Sequence, residues 1–220
     1  MSTFIETKQP HSAQQKRAIC LVLSLLLCAL PSLYSQDAVT IPKGADIMVD
    51  GVFSEGEWSD AHTVTIAEGT RLHFKQSGKY IYIGVQFSSA NNVGGWIDIY
   101  LQGNPGEIVN LHSSRKLGER KLAGDQWPEF DQWWTTRGDW TANYGKPDDI
   151  QVNGKRKEIW TPVEGWEFQI KRGRFKSNQW QVLFEPSCMF PKGSAKRRLQ
   201  QVFPTNGVKT KPDGWMTLKI

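Results

Sequence analysis

Cysteine is scarce in this chain, which has three cysteines among 220 residues. Two of them, Cys20 and Cys28, lie in an N-terminal segment that we expect to be removed, so the mature chain keeps Cys188 alone. A single thiol cannot form a disulfide within the chain. We therefore expect the hydrophobic core to hold the fold together, with Cys188 as a small buried hydrophobe.

The chain also lacks an apolar run long enough to cross a bilayer. The run from Ala18 to Leu30 has thirteen residues, against the roughly 20 that a membrane-spanning helix needs. A basic stretch ending in Lys16 and Arg17 precedes this run, and small residues follow it, as in a secretory signal peptide. We predict a signal peptide over 1–35, cleavage near Ser35 and a secreted or periplasmic protein without a membrane span.

A lipid anchor is disfavoured as well. The stretch from Leu25 to Cys28 is similar to a bacterial lipobox, in which the cysteine carries the lipid. The residue before that cysteine is usually small, and here it is Leu27. We therefore expect no lipid at Cys28.

Excess charge is small in the mature chain. The removed segment holds Lys8, Lys16, Arg17 and Glu6, so that the formal charge falls from +5 to +3 without it. A balance this mild does not indicate a polyanionic partner. Two basic clusters, KRGRFK and AKRRLQ, are not accompanied by any RNA- or DNA-binding motif. We expect solvated basic faces there and no nucleic-acid partner.

Helical patterning is nearly absent, and an alternation of period two dominates instead. It is clearest in KYIYIGVQF, WIDIYLQ, GWEFQIKR and WQVLFEP. WIDIYLQ places Ile97 and Leu101 on one face of a strand and Asp98 on the other. SEGEWSDAH can form one capped helical turn. Many short strands without a βαβ rhythm predict an all-β fold, an antiparallel sandwich with few short helical turns, in one domain over 46–220 after an exposed lead-in at 36–45.

Catalytic motifs are missing too. The sequence has no nucleophile elbow, no zinc-ligand spacing and no phosphate-binding glycine loop. Glu129 and Asp131 are close in sequence, as are Glu164 and Glu167, but a glycosidase needs two carboxylates held across a cleft, roughly 5 to 10 Å apart. Proximity along the chain does not establish such a cleft. We expect the protein not to be an enzyme.

Five phrases do occur, in an order shared with a known family. IMVDGVFSEGEWSDAHTVTI and GKYIYIGVQF are followed by WIDIYLQ, EGWEFQIKRGRF and DGWMTLKI, over roughly 46–220. The first resembles the I-D-G-x-x-x-E-x-x-W opening, and the others the later strands, of the family 9 carbohydrate-binding modules and their DOMON-like relatives. The resemblance implies an exported immunoglobulin-like sandwich that binds poly- or oligosaccharides. It also implies an accessory role in carbohydrate breakdown, beside a separately encoded glycoside hydrolase.

The resemblance further implies where a sugar binds. In these modules the ligand lies on the outer face of one sheet, beside a carboxylate of the middle strand and between aromatic rings. Asp98 matches that carboxylate, Asn110 and His112 match polar residues of the next strand, and Gln169 matches the acid of the G-W-x-V-E phrase. Asn92 or a neighbour stands where a clamping tryptophan is expected, so the rings must come from elsewhere.

DQWPEFDQWWTTRGDW, residues 125–140, holds four tryptophans in sixteen positions. Its proline, glycine and acids indicate a long loop. Sugar C–H faces stack on aromatic rings, while hydroxyls pair with acids, amides and guanidinium groups. We predict sugar contacts by Trp127, Trp133, Trp134 and Trp140, with Asp125, Asp131 and Arg137 as hydroxyl partners. Alternatively these rings pack beneath the loop as a satellite cluster, although we expect at least one to be exposed and to stack on the sugar.

The sequence leaves two alternatives to carbohydrate binding. Some DOMON-like relatives hold haem b between a methionine and a histidine, and the residues available here are Met48, Met189, Met216, His62, His73 and His112. Nothing marks a pair among them, so haem is disfavoured. The other alternative is a structural or protein-interaction module with a decayed sugar site. We expect no cofactor, although the resemblance allows calcium bound by loop Asp and backbone oxygens, with no residues assigned to it.

Overall fold

The structure is a computed structural model that describes residues 38–66, 69–87, 95–143, 147–152, 155–160, 164–189, 198–200 and 202–220. In 147–152, 155–160, 188–189 and 198–199 it describes the backbone alone. The predicted signal peptide with Cys28, the residue Asn92 and the side chains of Cys188 and Met189 therefore lie outside the described residues.

The described chain is built almost entirely from strands. In chain order they are β1 (Val39–Thr40), β2 (His62–Thr65), β3 (Arg71–Gln76), β4 (Tyr80–Gln86), β5 (Gly95–Asn104), β6 (Glu107–Ser113), β7 (Leu117–Lys121), β8 (Trp133–Trp134), β9 (Trp140–Ala142), β10 (Pro147–Val152), β11 (Lys155–Trp160), β12 (Gly165–Lys171), β13 (Gln179–Met189), β14 (Arg198–Gln200) and β15 (Met216–Lys219). A 3-10 turn, Arg172–Arg174, follows β12.

Two sheets contain most of these strands. The first sheet has the order β1-β15-β13-β5-β6-β7-β8, with β14 also paired to β13, and the second has the order β2-β3-β4-β12-β9. Strands β10 and β11 pair with each other as a separate hairpin. Pairings between these strands are antiparallel, apart from β1, which runs parallel to β15.

The inner faces of the two sheets share one hydrophobic core. Alternation supplies it, since Ile81, Ile83 and Val85 of β4 and Ile97 and Leu101 of β5 all point into the same cluster. Each such side chain contributes about 1.5 to 3 kcal/mol when it is fully buried. Rings also meet between the sheets, as where Phe74 lies 5.8 Å from Phe184. The antiparallel β-sandwich predicted from the sequence is confirmed.

The lead-in predicted at 36–45 is not an exposed tail in its described part. Val39 and Thr40 pair with Leu218 and Lys219 of β15, and Ile41 is 1% exposed within the core. The expectation was wrong because two isolated residues give no alternation from which a strand could be recognised.

Residues 54–61 form consecutive turns instead of the predicted capped helical turn, and they fold onto the outer face of the second sheet. The amide of Glu57 donates to the carbonyl of Ser54 over 3.1 Å. Lys75, which is 1% exposed, donates to the carbonyl of Glu57 over 2.6 Å and to Asp60 over 2.8 Å. Its ammonium nitrogen lies 5.5 Å from the ring centroid of Trp58. A buried cation therefore ties this turn to the sheet.

Candidate functional site

A row of polar side chains crosses the outer face of the first sheet. Asp98 on β5 has His112 of β6 as its partner on one side and Glu185 of β13 on the other. These side chains point away from the core because their neighbours along each strand, such as Ile97 and Phe184, point into it. Sheet pairing thus brings together side chains that are far apart in the sequence.

Asp98 is held by two donors. Its Oδ1 accepts a hydrogen bond from Asn110 Nδ2 over 3.0 Å and lies 2.9 Å from His112 Nδ1. Because a carboxylate can only accept, His112 must carry a proton on Nδ1. His112 Nε2 in turn lies 3.0 Å from Ser114 Oγ. Among the described residues no donor bonds to Asp98 Oδ2, and the Asp98 side chain is 10% exposed.

Arg120 of β7 extends the row. Its Nε donates to Asn110 Oδ1 over 2.9 Å and its Nη1 to the carbonyl of Pro128 over 3.1 Å. The guanidinium carbon also lies 4.4 Å from the ring centroid of Phe130. Arg120 therefore joins the strands to the loop that follows β7, and it fixes the orientation of the buried Asn110 amide.

An exposed indole stands at the edge of this row. Trp133 is 45% exposed, and its ring centroid lies 5.5 Å from that of His112 in an edge-on arrangement. Phe130 lies 4.9 Å from Trp133 and 5.3 Å from His112, so the three rings form one group. Trp133 is therefore exposed, as expected of at least one of the four tryptophans, and its stacking on a sugar stays a prediction.

The rings can approach the sheet because β7 has a glycine beneath them. A Cβ atom on Gly118 would lie 2.8 Å from Phe130 and 2.9 Å from Trp133, closer than side chains pack. Gly118 also pairs in register with both His112 and Trp133. The absence of a side chain here is what brings the exposed indole beside the polar row.

Glu185 is a member of the row that was not predicted from the sequence. It is 5% exposed and accepts hydrogen bonds from the Tyr100 hydroxyl over 3.0 Å, from Gln200 over 2.8 Å and from Lys209 over 2.7 Å. Burial, followed by the nearby charges of Asp98 and Glu185, raises the pKa of Tyr100, which keeps its hydroxyl a donor. The signal was present, because Glu185 continues the outward alternation of Gln181 and Leu183 in WQVLFEP.

Three of the predicted loop residues take less exposed positions. Trp127 is half-buried, with its ring 5.2 Å from that of Tyr100, and it packs over the outer face. Trp134 is half-buried against the core. Arg137 lies 4.4 Å above the Trp134 ring and forms ion pairs with Glu119 and Asp139. These residues support the loop that carries Trp133.

Trp140 is not a surface residue, which corrects the expectation that it clamps a sugar. It is 2% exposed, its ring stacks with Phe168 at 6.1 Å, and its Nε1 donates to Glu119 over 2.8 Å. The residue opens β9, an edge strand of the second sheet, so its side chain enters the core instead of the loop.

Gln169 is not part of the polar row either. It lies on β12 in the second sheet, where it pairs with Tyr82 and Thr141, and its Nε2 donates to the Tyr82 hydroxyl over 3.3 Å. The prediction that it faces away from the core is correct, but it faces away on the opposite side of the sandwich from Asp98.

A hollow of about 340 Å³ adjoins the row at the β8 edge of the first sheet. Its walls include Arg120, Glu129, Asp131, Trp134 and Arg137. Asp131 and Arg137, two of the predicted hydroxyl partners, are thus brought together with Trp134. Asp125 is exposed and does not line this hollow.

No set of three His, Cys, Asp or Glu side chains comes together as a metal site within the part of the chain that the structure describes. Calcium bound by loop Asp and backbone oxygens stays a prediction, since backbone oxygens are not among those side chains. In the same described ranges, no helix combines the length and hydropathy needed to span a bilayer.

Comparison with known proteins finds similarity at the level of structure. No family model matches the sequence, and no curated protein matches it. The chain is similar to a family 9 carbohydrate-binding module from Caldicellulosiruptor kristjanssonii solved with cellotriose, at 12% identity over 83% of this chain and 92% of that one, with a TM-score of 0.43. The same organism's module solved with glucose gives 11% identity, 83% and 94% coverage and a TM-score of 0.45.

A protein of Bacteroides uniformis to which carbohydrate binding has been ascribed is similar at 11% identity, with 83% of this chain and 98% of that one covered and a TM-score of 0.46. At such identities the ligands of these proteins are not transferred to this chain.

Proposed function

We propose that this protein is a non-catalytic carbohydrate-binding module whose ligand lies on the outer face of the first sheet. The observation that carries the proposal is the position of Trp133. Its exposed indole adjoins His112, which is bonded to a carboxylate whose other oxygen has no donor among the described residues. An aromatic plane beside fixed hydroxyl acceptors is the combination that pyranose rings require.

Binding follows from the geometry in two parts. The C–H face of a sugar ring packs on Trp133 and displaces water from it. A hydroxyl of the same ring donates to Asp98 Oδ2, and that oxygen is held in place because Asn110 and His112 fix the opposite oxygen. Such a site is largely formed before the ligand arrives, so little ordering has to accompany binding.

The hollow beside β8 makes an oligosaccharide a better ligand than a single sugar. Arg120 belongs to both features, since it bonds to Asn110 in the polar row and also lines the hollow. Trp134, Asp131 and Arg137 offer a second ring and further hydroxyl partners there. A chain of two or more sugars can therefore extend from Trp133 toward the β8 edge.

The carboxylate geometry supports binding without catalysis. A glycosidase places its acids on either side of the scissile bond. Asp98 and Glu185 are instead direct neighbours on one sheet face, and Glu185 is occupied by Tyr100, Gln200 and Lys209. Export through the N-terminal signal peptide and action beside a separately encoded glycoside hydrolase are further parts of the proposal, and they rest on the sequence alone.

Intrinsic tryptophan fluorescence tests the proposal, because covering Trp133 should shift its emission. The purified protein is titrated with neutral glycans, starting with glucose and cellotriose and extending to a glycan array, and each hit is repeated with Trp133→Ala. Met48→Ala serves as the control, since Met48 is 71% exposed and is remote in sequence from the row. A hit that binds Trp133→Ala as tightly as the wild type contradicts this site, and an array without hits favours a protein-interaction module.

The haem alternative is tested by an absorption spectrum near 400 nm, since a bound haem absorbs there. One histidine is poorly placed for an axial ligand, because both ring nitrogens of His112 are engaged by Asp98 and Ser114. Met216 points into the core of the sandwich. A Soret band in protein purified without added haem would overturn the carbohydrate proposal in favour of this alternative.

A further inference from the structure

A second hollow lies where the turn between β3 and β4 meets the end of β12. It has a volume of about 490 Å³ and is lined by Gly78, Lys79, Tyr80, Asp139, Lys171, Arg172, Gly173 and Arg174. Four of these residues are cations and one is an acid. The KRGRFK cluster, which we expected to form a solvated basic face, thus contributes three cations to a concave surface.

The backbone fixes how these cations converge. The amide of Arg172 donates to the carbonyl of Lys79 over 2.9 Å, and Lys171 pairs in register with Tyr80. The amide of Lys171 also donates to the carbonyl of Asp139 over 2.9 Å. Three separate segments therefore hold their side chains around one space, so the convergence does not depend on a flexible loop.

Arg174 forms the inner wall of this hollow. Its side chain is 9% exposed, and its Nη2 pairs with Glu119 over 2.7 Å while its Nη1 contacts Asp139. Its Nε is buried without a hydrogen-bond partner among the described residues. A buried donor of this kind is costly unless a ligand or water satisfies it.

Lys79, Lys171 and Arg172 have no ion-pair partner within the described part of the chain. Their charges are available to an anion, and the low exposure of the inner wall strengthens attraction there relative to open water. Gly78 and Gly173 leave the approach open, since nothing lies within 4 Å of a Cβ atom on either residue.

The volume of the hollow and the presence of Tyr80 indicate whether it binds a free oxyanion or an acidic organic ligand. A free oxyanion needs only a few donors, whereas this space is as large as those that hold small organic ligands. Tyr80 is half-buried in its wall and places an aromatic ring next to the cations. From this combination we infer that the hollow is a second binding site, which takes an acidic saccharide through its carboxylate or sulfate groups.

Paired probes test this inference. Dextran sulfate and neutral dextran of the same length share a glucose backbone and differ in the sulfate esters, and polygalacturonate supplies carboxylates on a different sugar backbone. Trp133→Ala, which lacks the exposed ring of the first sheet, should bind both acidic polymers and not neutral dextran. Lys79→Ala, Lys171→Ala and Arg172→Ala combined should weaken binding to both acidic polymers by about tenfold or more, since hydrogen bonds to charged groups are lost.

The control variant removes the same charge elsewhere, through Lys116→Ala, Lys211→Ala and Lys219→Ala, all of which are exposed and outside the hollow. It should bind dextran sulfate within about twofold of the wild type, because exposed charges at a distance are screened by salt. Equal weakening by the two triple variants would overturn the site in favour of general charge attraction. Equal binding of dextran sulfate by wild type and hollow variant would overturn it as well.

Two further measurements distinguish this hollow from a bare-anion site and from the polar row. Free sulfate, added at the same sulfate concentration, should compete much more weakly than dextran sulfate, and equal competition would show that the hollow takes a bare anion instead of a saccharide. Trp133→Ala should leave dextran sulfate binding unchanged, and a loss of binding in that variant would place the acidic polymer on the first sheet. The two sites can therefore fail independently, since neutral glycans report on the first sheet and acidic polymers on this hollow.

Discussion

Asp98 and Glu185 stand directly opposite each other on the adjacent strands β5 and β13, with both carboxylates on the outer face of the first sheet. Like charges in such positions destabilise a sheet unless other groups offset them. Asp98 is held by Asn110 and His112, and Glu185 by Tyr100 and Lys209. The pair of carboxylates therefore depends on donors that several strands and loops supply.

The cation opposite Glu185 should be needed for stability. Lys209→Met removes it and leaves a carboxylate that is 6% exposed without its ion pair. We expect the free energy of unfolding to fall by about 1 to 3 kcal/mol, less than for a fully buried pair because Lys209 is partly exposed. Urea unfolding measures this, with Lys209→Arg as the control that keeps the charge. An unchanged midpoint in Lys209→Met would contradict the prediction.

Trp133 should matter for binding and not for folding. Trp133→Ala removes the exposed ring, and we expect a loss of about 1 to 3 kcal/mol of affinity for any neutral glycan that binds the wild type. The melting temperature should change little, because almost half of the side chain is already in water. Calorimetric titration gives the affinity, and Trp133→Phe, which keeps an aromatic face, should retain part of it.

Trp140 should show the opposite behaviour. Trp140→Ala leaves a cavity beside Phe168 and removes the donor to Glu119. The expected loss of stability is about 3 to 5 kcal/mol. Affinity for the same glycan, measured below the melting temperature of the variant, should equal that of the wild type. A selective loss of affinity in a stable Trp140→Ala protein would return this residue to the binding surface.

Gly118 should control the placement of the exposed ring. Gly118→Ala inserts a methyl group where Phe130 and Trp133 now lie, and those rings must move outward from β7. We expect glycan affinity to fall by at least about threefold, with a smaller effect on stability than Trp140→Ala, because the displaced rings lie outside the core. Fluorescence titration compares this variant with Gly138→Ala, a control in the same loop region where an added Cβ meets open space. Equal affinities in the two variants would contradict this role.

Glu167 should make stability depend on pH. Burial raises its pKa to about 7, although the amides of Gly51 and Asp50 and the indole of Trp58 favour its ionised form. A carboxyl whose pKa is higher in the folded than in the unfolded chain stabilises the fold while it is protonated. This contribution is complete below the usual value of 4.5 and is lost as the pH rises through about 7, with a total of about 3 kcal/mol.

The measurement compares the wild type with Glu167→Gln, which cannot titrate at this position. Denaturant unfolding at several pH values from 4 to 8 should show the wild type losing stability relative to the variant as the pH rises. Other titrating groups affect both proteins alike and cancel in this difference. A constant difference across the range would mean that the three donors outweigh burial and that Glu167 stays ionised.

The strand faces could be predicted from the sequence because alternation is a local property. It placed Ile81 and Ile97 in the core and Asp98 on the outside without knowledge of the partner strands. Gln169 shows the limit of this reasoning, since alternation tells which way a side chain points but not which of two sheets carries its strand. That depends on pairing between β12 and β4, which are about 80 residues apart.

The candidate site was harder to predict where long-range contacts decide it. Trp133 and Trp140 have similar surroundings in the sequence, yet one is exposed and the other enters the core, because β9 joins the second sheet. The contact between Lys209 and Glu185 could not be predicted from their spacing in the sequence. Lys209 lies in an irregular segment that passes over the sheet. The carboxylate Asp98 was found correctly because it lies within a regular strand.

Because Lys75 is buried beneath the 54–61 turn, the chemical reactivity of this lysine measures local opening of the fold. Amine-acylating reagents react with accessible, uncharged lysine side chains, and this ammonium group is enclosed by the Glu57 carbonyl, Asp60 and the Trp58 ring. A reagent can acylate Lys75 only when the turn has moved away from the sheet. Its rate, followed by peptide mass spectrometry against that of an outward-pointing lysine, would therefore record how often that corner of the sandwich opens while the remainder stays folded.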